Sequence, residues 1–126
     1  MVRARFRIWG LFSSADYVQA QRVRNVVKRE FAQVLQQVDV IASPTMSNPA
    51  PAFQGFDPMT TSRVPSFTSP YNMTGMPAIS VPCGFTSKGL PVGLQLAGKP
   101  FDEPTVLRAA YTYQQHARLF EKRPPI

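Results

Sequence analysis

The chain has 126 residues, 44% of them apolar, and a formal net charge of +7. That length holds one domain or part of one, with apolar content enough for a modest core, which excludes disorder throughout. A lone cysteine, Cys83, excludes an internal disulfide, and no run approaches the ~20 apolar residues of a membrane span.

Met1 to Phe12 is basic and then briefly apolar. Arg5 and Arg7 interrupt the apolar run and no small-residue cleavage site follows it, so a secretory signal is not expected. A soluble chain in a reducing, cytoplasmic setting is the expectation.

From about Ser14 to Gln37 the spacing predicts one long amphipathic helix. Ser14 is the expected N-cap, and Asp16 sits in the first turn, where a carboxylate suits the positive end of the helix dipole. Val23, Val27, Phe31, Val34 and Val38 recur every three or four residues and mark the face expected to pack. Val38 to Ser43 is a short β-branched run stopped by Pro44, which reads as a buried strand. Six prolines then fall between Pro44 and Pro70 inclusive, in a long loop of the kind that borders a ligand crevice or wraps a domain.

Ser69 to Thr74 reads as a single helical turn, with Gly75 suited to a left-handed closing position. Ala78 to Val81 forms a second strand between Pro77 and Pro82. Val92 to Gly98 forms a third, in which Gly93 and Gly98 point to close approach of another backbone. A last helix starts at the N-cap Asp102, with Glu103 and Pro104 in its first turn. Its expected packing face is Val106, Leu107, Ala110, Tyr113 and Ala117, and the tail Lys122 to Pro125 cannot continue it. The order helix, strand, strand, strand, helix is α/β, and three short strands alone make a poor sheet.

Fourteen Lys and Arg face seven Asp and Glu, and Arg3, Arg5, Arg7, Arg22, Arg24, Lys28 and Arg29 all fall in the first 29 positions. A nucleic-acid surface is one reading of this charge. No recognisable nucleic-acid module accompanies it, so a solvated helix face plus a ragged end is the reading adopted.

The chain offers no persuasive active site of its own. His116, the single histidine, has no acidic neighbour in sequence, and Cys83 lacks a local base or helix N-terminus to lower its pKa. The acidic residues show no paired arrangement for acid–base work, and no Cys/His cluster offers a metal site. Catalytic residues, metal and cofactor are accordingly all expected to be absent.

Several runs in order nevertheless resemble the C-terminal region of the amidase signature family. They are Asp16-Tyr17 with Ala20 to Arg24, Val38 to Thr45, Phe67-Thr68 with Pro70 and Asn72, Gly75 to Phe85, Gly89 to Leu96, and Phe101 to Glu103. The resemblance implies that residues 1–126 are the C-terminal portion of an amidase-signature domain, itself incomplete. It implies C-terminal strands of a mixed sheet with two long flanking helices, in a fold that acts on the carbon–nitrogen bond of a small carboxamide substrate. In that family an uncharged lysine and a bridging serine activate a nucleophilic serine, in a glycine- and serine-rich signature upstream of the matching region. No such stretch occurs here, so the isolated chain is expected to be inactive. The resemblance gives Thr45, Thr68 and Asn72 as residues lining or shaping the substrate pocket. Satisfying loop backbone groups is the competing role, and for Asn72 it is the preferred one.

One branch of the family, the glutamine-dependent glutamyl-tRNA amidotransferases, carries an acidic residue three positions before the threonine matching Thr68 in its amidase-like subunit. Pro65 stands there in this chain, which points to a general amidase with a less polar amide. Two alternatives remain: a fragment of the amidase-like A subunit of such an amidotransferase, and a non-catalytic basic binding module. Neither a specific nucleic acid nor a membrane is expected as partner, and self-association of the isolated chain is.

Overall fold

The computed structural model describes residues 10–55 and 66–122. Arg3, Arg5, Arg7, Arg63 to Pro65 and the tail from Arg123 lie outside the described residues. The described elements are α1 (Ser14–Val34), β1 (Val40–Pro44), α2 (Ser69–Thr74), β2 (Ala78–Phe85), β3 (Pro91–Gly98), α3 (Glu103–Ala117) and a closing 3-10 turn (Leu119–Glu121).

The cap of α1 is Ser13, one residue before the expected Ser14. Its hydroxyl accepts from the Asp16 backbone N–H, while the Asp16 carboxylate accepts from the Ser13 N–H at 2.8 Å, a reciprocal pair that satisfies two otherwise free donors. The hydrogen bonds from the Ser13 side chain, and then from its backbone, hold the Asp16 carboxyl below its ordinary range.

The three strands form an antiparallel sheet in the order β1-β3-β2. β3 is the middle strand, and its side chains alternate between the two faces. On one face Leu96 meets Val81 and Ala110 of α3, with Ile79, Leu94 and Tyr113 around them. On the other, Ala97 meets Leu35, Tyr71 and Met76, backed by Phe31 and Ile41. Phe31 and Tyr71 join α1 to α2 edge to face, with ring centroids 5.8 Å apart. The Arg24 guanidinium adds a second tie by donating from Nε to the Met73 carbonyl.

Prolines extend the strands beyond their expected ends. β2 runs past Pro82 to Phe85 because it is an edge strand, where a missing N–H costs little, and a bulge between Pro82 and Gly84 absorbs the irregularity. Pro44 closes β1 on the opposite edge for the same reason. Gly75 ends α2 with φ of 76°, the left-handed geometry that glycine takes without a Cβ penalty. Side chains are the nearest neighbours of both strand glycines, and at Gly98 the Asp39 and Asp102 backbone carbonyls also come within 3.7 and 3.9 Å of an added Cβ. A Cβ at Gly98 would lie 2.5 Å from Val106 Cγ2, and one at Gly93 would lie 2.7 Å from Ser80 Oγ.

The expected packing face of α1 is only partly used. Phe31 and Val27 are half-buried, but Val23, Val34 and Val38 are 51%, 48% and 43% exposed, and the buried residue at this end is Leu35. In α3, Val106 and Ala110 are buried as expected, whereas Leu107 faces solvent. No described helix is long and apolar enough to cross a membrane.

Candidate functional site

Thr45 follows directly on β1 and prolongs the pairing with β3 by one residue, its N–H donating to the Gly93 carbonyl at 2.9 Å. This places its side chain on the same sheet face as Ser43, Gly93 and Gln95. From there Thr45 Oγ1 reaches across β3 to Ser80 Oγ on β2, 2.6 Å away. The span is open because Gly93, lying between the two outer strands, has no side chain.

One residue pair further along the face, Ser43, Gln95 and Ser80 stand directly opposite one another across the three strands. Gln95 is buried, and among the described residues neither its Oε1 nor Ser43 Oγ has a hydrogen-bond partner. Leaving a buried polar atom unpaired costs about 1–3 kcal/mol, so polar atoms in such a row call for further partners. The sheet face therefore divides into an apolar part under α1 and α2 and a polar part at the Thr45 end.

Thr68 and Asn72 lie apart from this row, at the start of α2. Thr68 occupies the N-cap position of α2 without capping it; its hydroxyl pairs with Ser66 Oγ at 3.0 Å. Ser66 does the capping, accepting from the Ser69 N–H at 3.2 Å. Asn72 is exposed, and its N–H donates to the Thr68 carbonyl at 3.3 Å. Among the described residues no hydrogen bond joins Thr45 to Thr68 or Asn72. Sequence pattern does not single out Ser80 and Gln95, because their neighbours come from distant strands. The alternation through Gly93-Leu94-Gln95 is the one signal that Gln95 shares a face with Gly93.

The other reactive groups have local employment. Cys83 is half-buried in the bulge, its thiol donating to the Val92 carbonyl at 3.4 Å. His116 is exposed, with Nδ1 2.9 Å from the Thr112 carbonyl. Among the described residues, no three His, Cys, Asp or Glu side chains gather as a metal site.

The model of the amidase family matches residues 1–107. The chain belongs to the amidase family. Among curated relatives of this amidase chain, the A subunit of glutamyl-tRNA(Gln) amidotransferase from Methanosarcina barkeri is 51% identical over 111 residues, covering 86% of the chain and 23% of the relative. The corresponding protein of Oceanobacillus iheyensis is 44% identical over 119 residues, covering 91% of the chain and 24% of the relative. The chain thus spans about a quarter of the length of the relatives it matches. Among solved structures, the glutamyl-tRNA(Gln) amidotransferase A subunit of Thermotoga maritima is 36% identical with a TM-score of 0.71, covering 92% of this chain and 27% of that one. The peptide amidase of Stenotrophomonas maltophilia is 28% identical with a TM-score of 0.68, covering 92% of this chain and 22% of that one. The α/β fold of the amidase-signature enzymes, implied by the sequence resemblance, is the fold of this chain.

Proposed function

We propose that the chain serves as the C-terminal part of an amidase domain, supplying three sheet strands and one wall of the pocket that holds a small carboxamide substrate. The carrying observation is that family likeness runs through nearly the whole chain while spanning a quarter of each relative. Thr45 is the pocket-wall residue with the best geometry, standing at the C-terminal end of a strand on a polar, open part of the sheet. Thr68 and Asn72 shape the wall through the turn that begins α2. The half-exposed valine stripe of α1 is the surface that the rest of such a domain covers.

The amide-cleaving residues belong to the remainder of the domain, so the purified chain alone is expected to release no ammonia from acetamide, benzamide or glutamine. A hybrid in which this chain replaces the matching segment of the Methanosarcina barkeri protein is expected to hydrolyse an amide. An inactive but folded hybrid would defeat the pocket-wall reading.

A second reading, that the parent is an amidotransferase subunit using glutamine as amide donor, is favoured by the names of the relatives. Pro65 in place of an acidic residue stands against it. Comparing glutamine with propionamide as donors, in the hybrid and in the unsubstituted Methanosarcina barkeri protein, shows which donor this segment favours. A cytoplasmic location accords with the free thiol of Cys83.

A further inference from the structure

Thr45 is held at two points. Its N–H is fixed on the Gly93 carbonyl, its hydroxyl meets Ser80 Oγ at 2.6 Å, and the missing side chain of Gly93 gives that pair its room. An added Cβ at Gly93 would stand 2.7 Å from Ser80 Oγ and 2.8 Å from Thr45 Oγ1, both well inside contact distance. Gly93 has no positive φ, so space and not backbone conformation is what glycine supplies here. A threonine side chain on a loop after a strand has three staggered rotamers. The β-branch and backbone narrow that choice, and the Ser80 hydroxyl favours one of the wells that remain.

We propose that Ser80 is a positioning residue for substrate binding: it fixes the Thr45 hydroxyl toward the amide pocket, and Gly93 keeps the two hydroxyls in reach. This rests on the reading of Thr45 as a pocket-wall residue. Between them two hydroxyls carry two protons and four lone pairs. Their mutual bond uses one proton and one lone pair, leaving one donor and further acceptors for a ligand. A carboxamide, with an N–H donor and a carbonyl acceptor, matches that remainder. The neighbouring Ser43 Oγ and Gln95 Oε1, buried and without a partner among the described residues, show hydrogen-bonding capacity on this face that the described residues do not use up.

The inference is tested in the hybrid enzyme by a double-mutant cycle. Thr45→Val and Ser80→Ala are each expected to raise KM for propionamide roughly 2- to 10-fold, with kcat little changed. The double variant should be no worse than the poorer single variant, and Ser80→Thr, which keeps the hydroxyl, should restore KM. If Thr45→Val leaves KM unchanged, the pocket-wall reading fails and this inference with it. If Thr45→Val raises KM while Ser80→Ala does not, the pocket wall stands and the positioning role is overturned. A measurement on the 126-residue chain itself is independent of activity. Three-bond couplings to Thr45 Cγ should report one χ1 rotamer, and Ser80→Ala or Gly93→Ala should average it. An averaged rotamer in the unsubstituted chain would overturn the proposal.

Discussion

Replacing Gly98 by alanine tests how closely α3 is seated on the sheet. Gly98 is buried at the end of β3, and its N–H donates to the Pro77 carbonyl at 3.1 Å. The new methyl would stand 2.5 Å from Val106 Cγ2, while the Asp39 and Asp102 carbonyls at 3.7 and 3.9 Å leave it ordinary room. All the strain therefore falls on Val106, which is 2% exposed. A helical valine is nearly confined to one χ1 rotamer, so relief must come from moving α3. Overpacking of this kind costs about 1–3 kcal/mol, and the stiffer unfolded chain offsets up to about 1 kcal/mol of it. A net loss of about 1–2 kcal/mol is expected, read from urea unfolding by far-UV circular dichroism at micromolar concentration in a chain carrying Val23→Ser and Val34→Ser to limit association. Val106→Ala alone should cost roughly 2 kcal/mol by leaving a cavity. The double variant should cost less than the sum by about 1 kcal/mol or more, because the methyl added at position 98 enters the vacated space. Additivity within about 0.5 kcal/mol would show that the two side chains do not compete for the same volume.

Further expectations concern charge and association. The Ser13–Asp16 box lowers the Asp16 pKa, so its contribution is complete above the unfolded value of 3.8 and declines as pH falls through the lower folded value. Helix content followed from about pH 6 to pH 2 should show that decline in the parent chain and not in Asp16→Asn; identical profiles would refute it. Nucleic-acid binding should be weak, without sequence preference, and fall by about tenfold or more between roughly 50 and 200 mM salt, measured by fluorescence anisotropy. A tight, sequence-selective complex at physiological salt would favour the basic binding module instead. The exposed Val23, Val34 and Val38 should drive the isolated chain to oligomers in sedimentation velocity, and Val23→Ser with Val34→Ser should reduce them. A monomer with a sharp thermal transition before any substitution would refute this.

Much of the architecture is legible in the sequence because its determinants are local. Apolar spacing locates α1 and α3, and the Ser-Pro start and Gly75 end locate α2 at the residues observed. Amphipathic spacing says that a face is apolar and cannot say how much of it is covered, which is why Val34 is expected inside and Leu35 is the residue buried there. Pro82 reads as a stop because sequence does not reveal which strands are edges. The candidate site is legible only at Thr45. Its partner Ser80 lies 35 residues away and meets it over Gly93, a contact created by strand order and register. Nothing in the run Ala78-Ile79-Ser80-Val81 marks the serine as different from any other hydroxyl on a sheet.

The central place of β3 also orders the assembly of the fold. β2 and β3 are joined by a five-residue loop, Thr86 to Leu90, whereas β1 reaches β3 only across the 46 residues from Thr45 to Leu90. Closing a loop roughly nine times longer costs about 2 kcal/mol more in chain entropy. The β2–β3 hairpin is therefore expected to form first and to serve as the template on which β1 settles. The Thr45–Ser80 contact then belongs to the last step, and amide exchange along β1 should reveal an opening that leaves the hairpin intact.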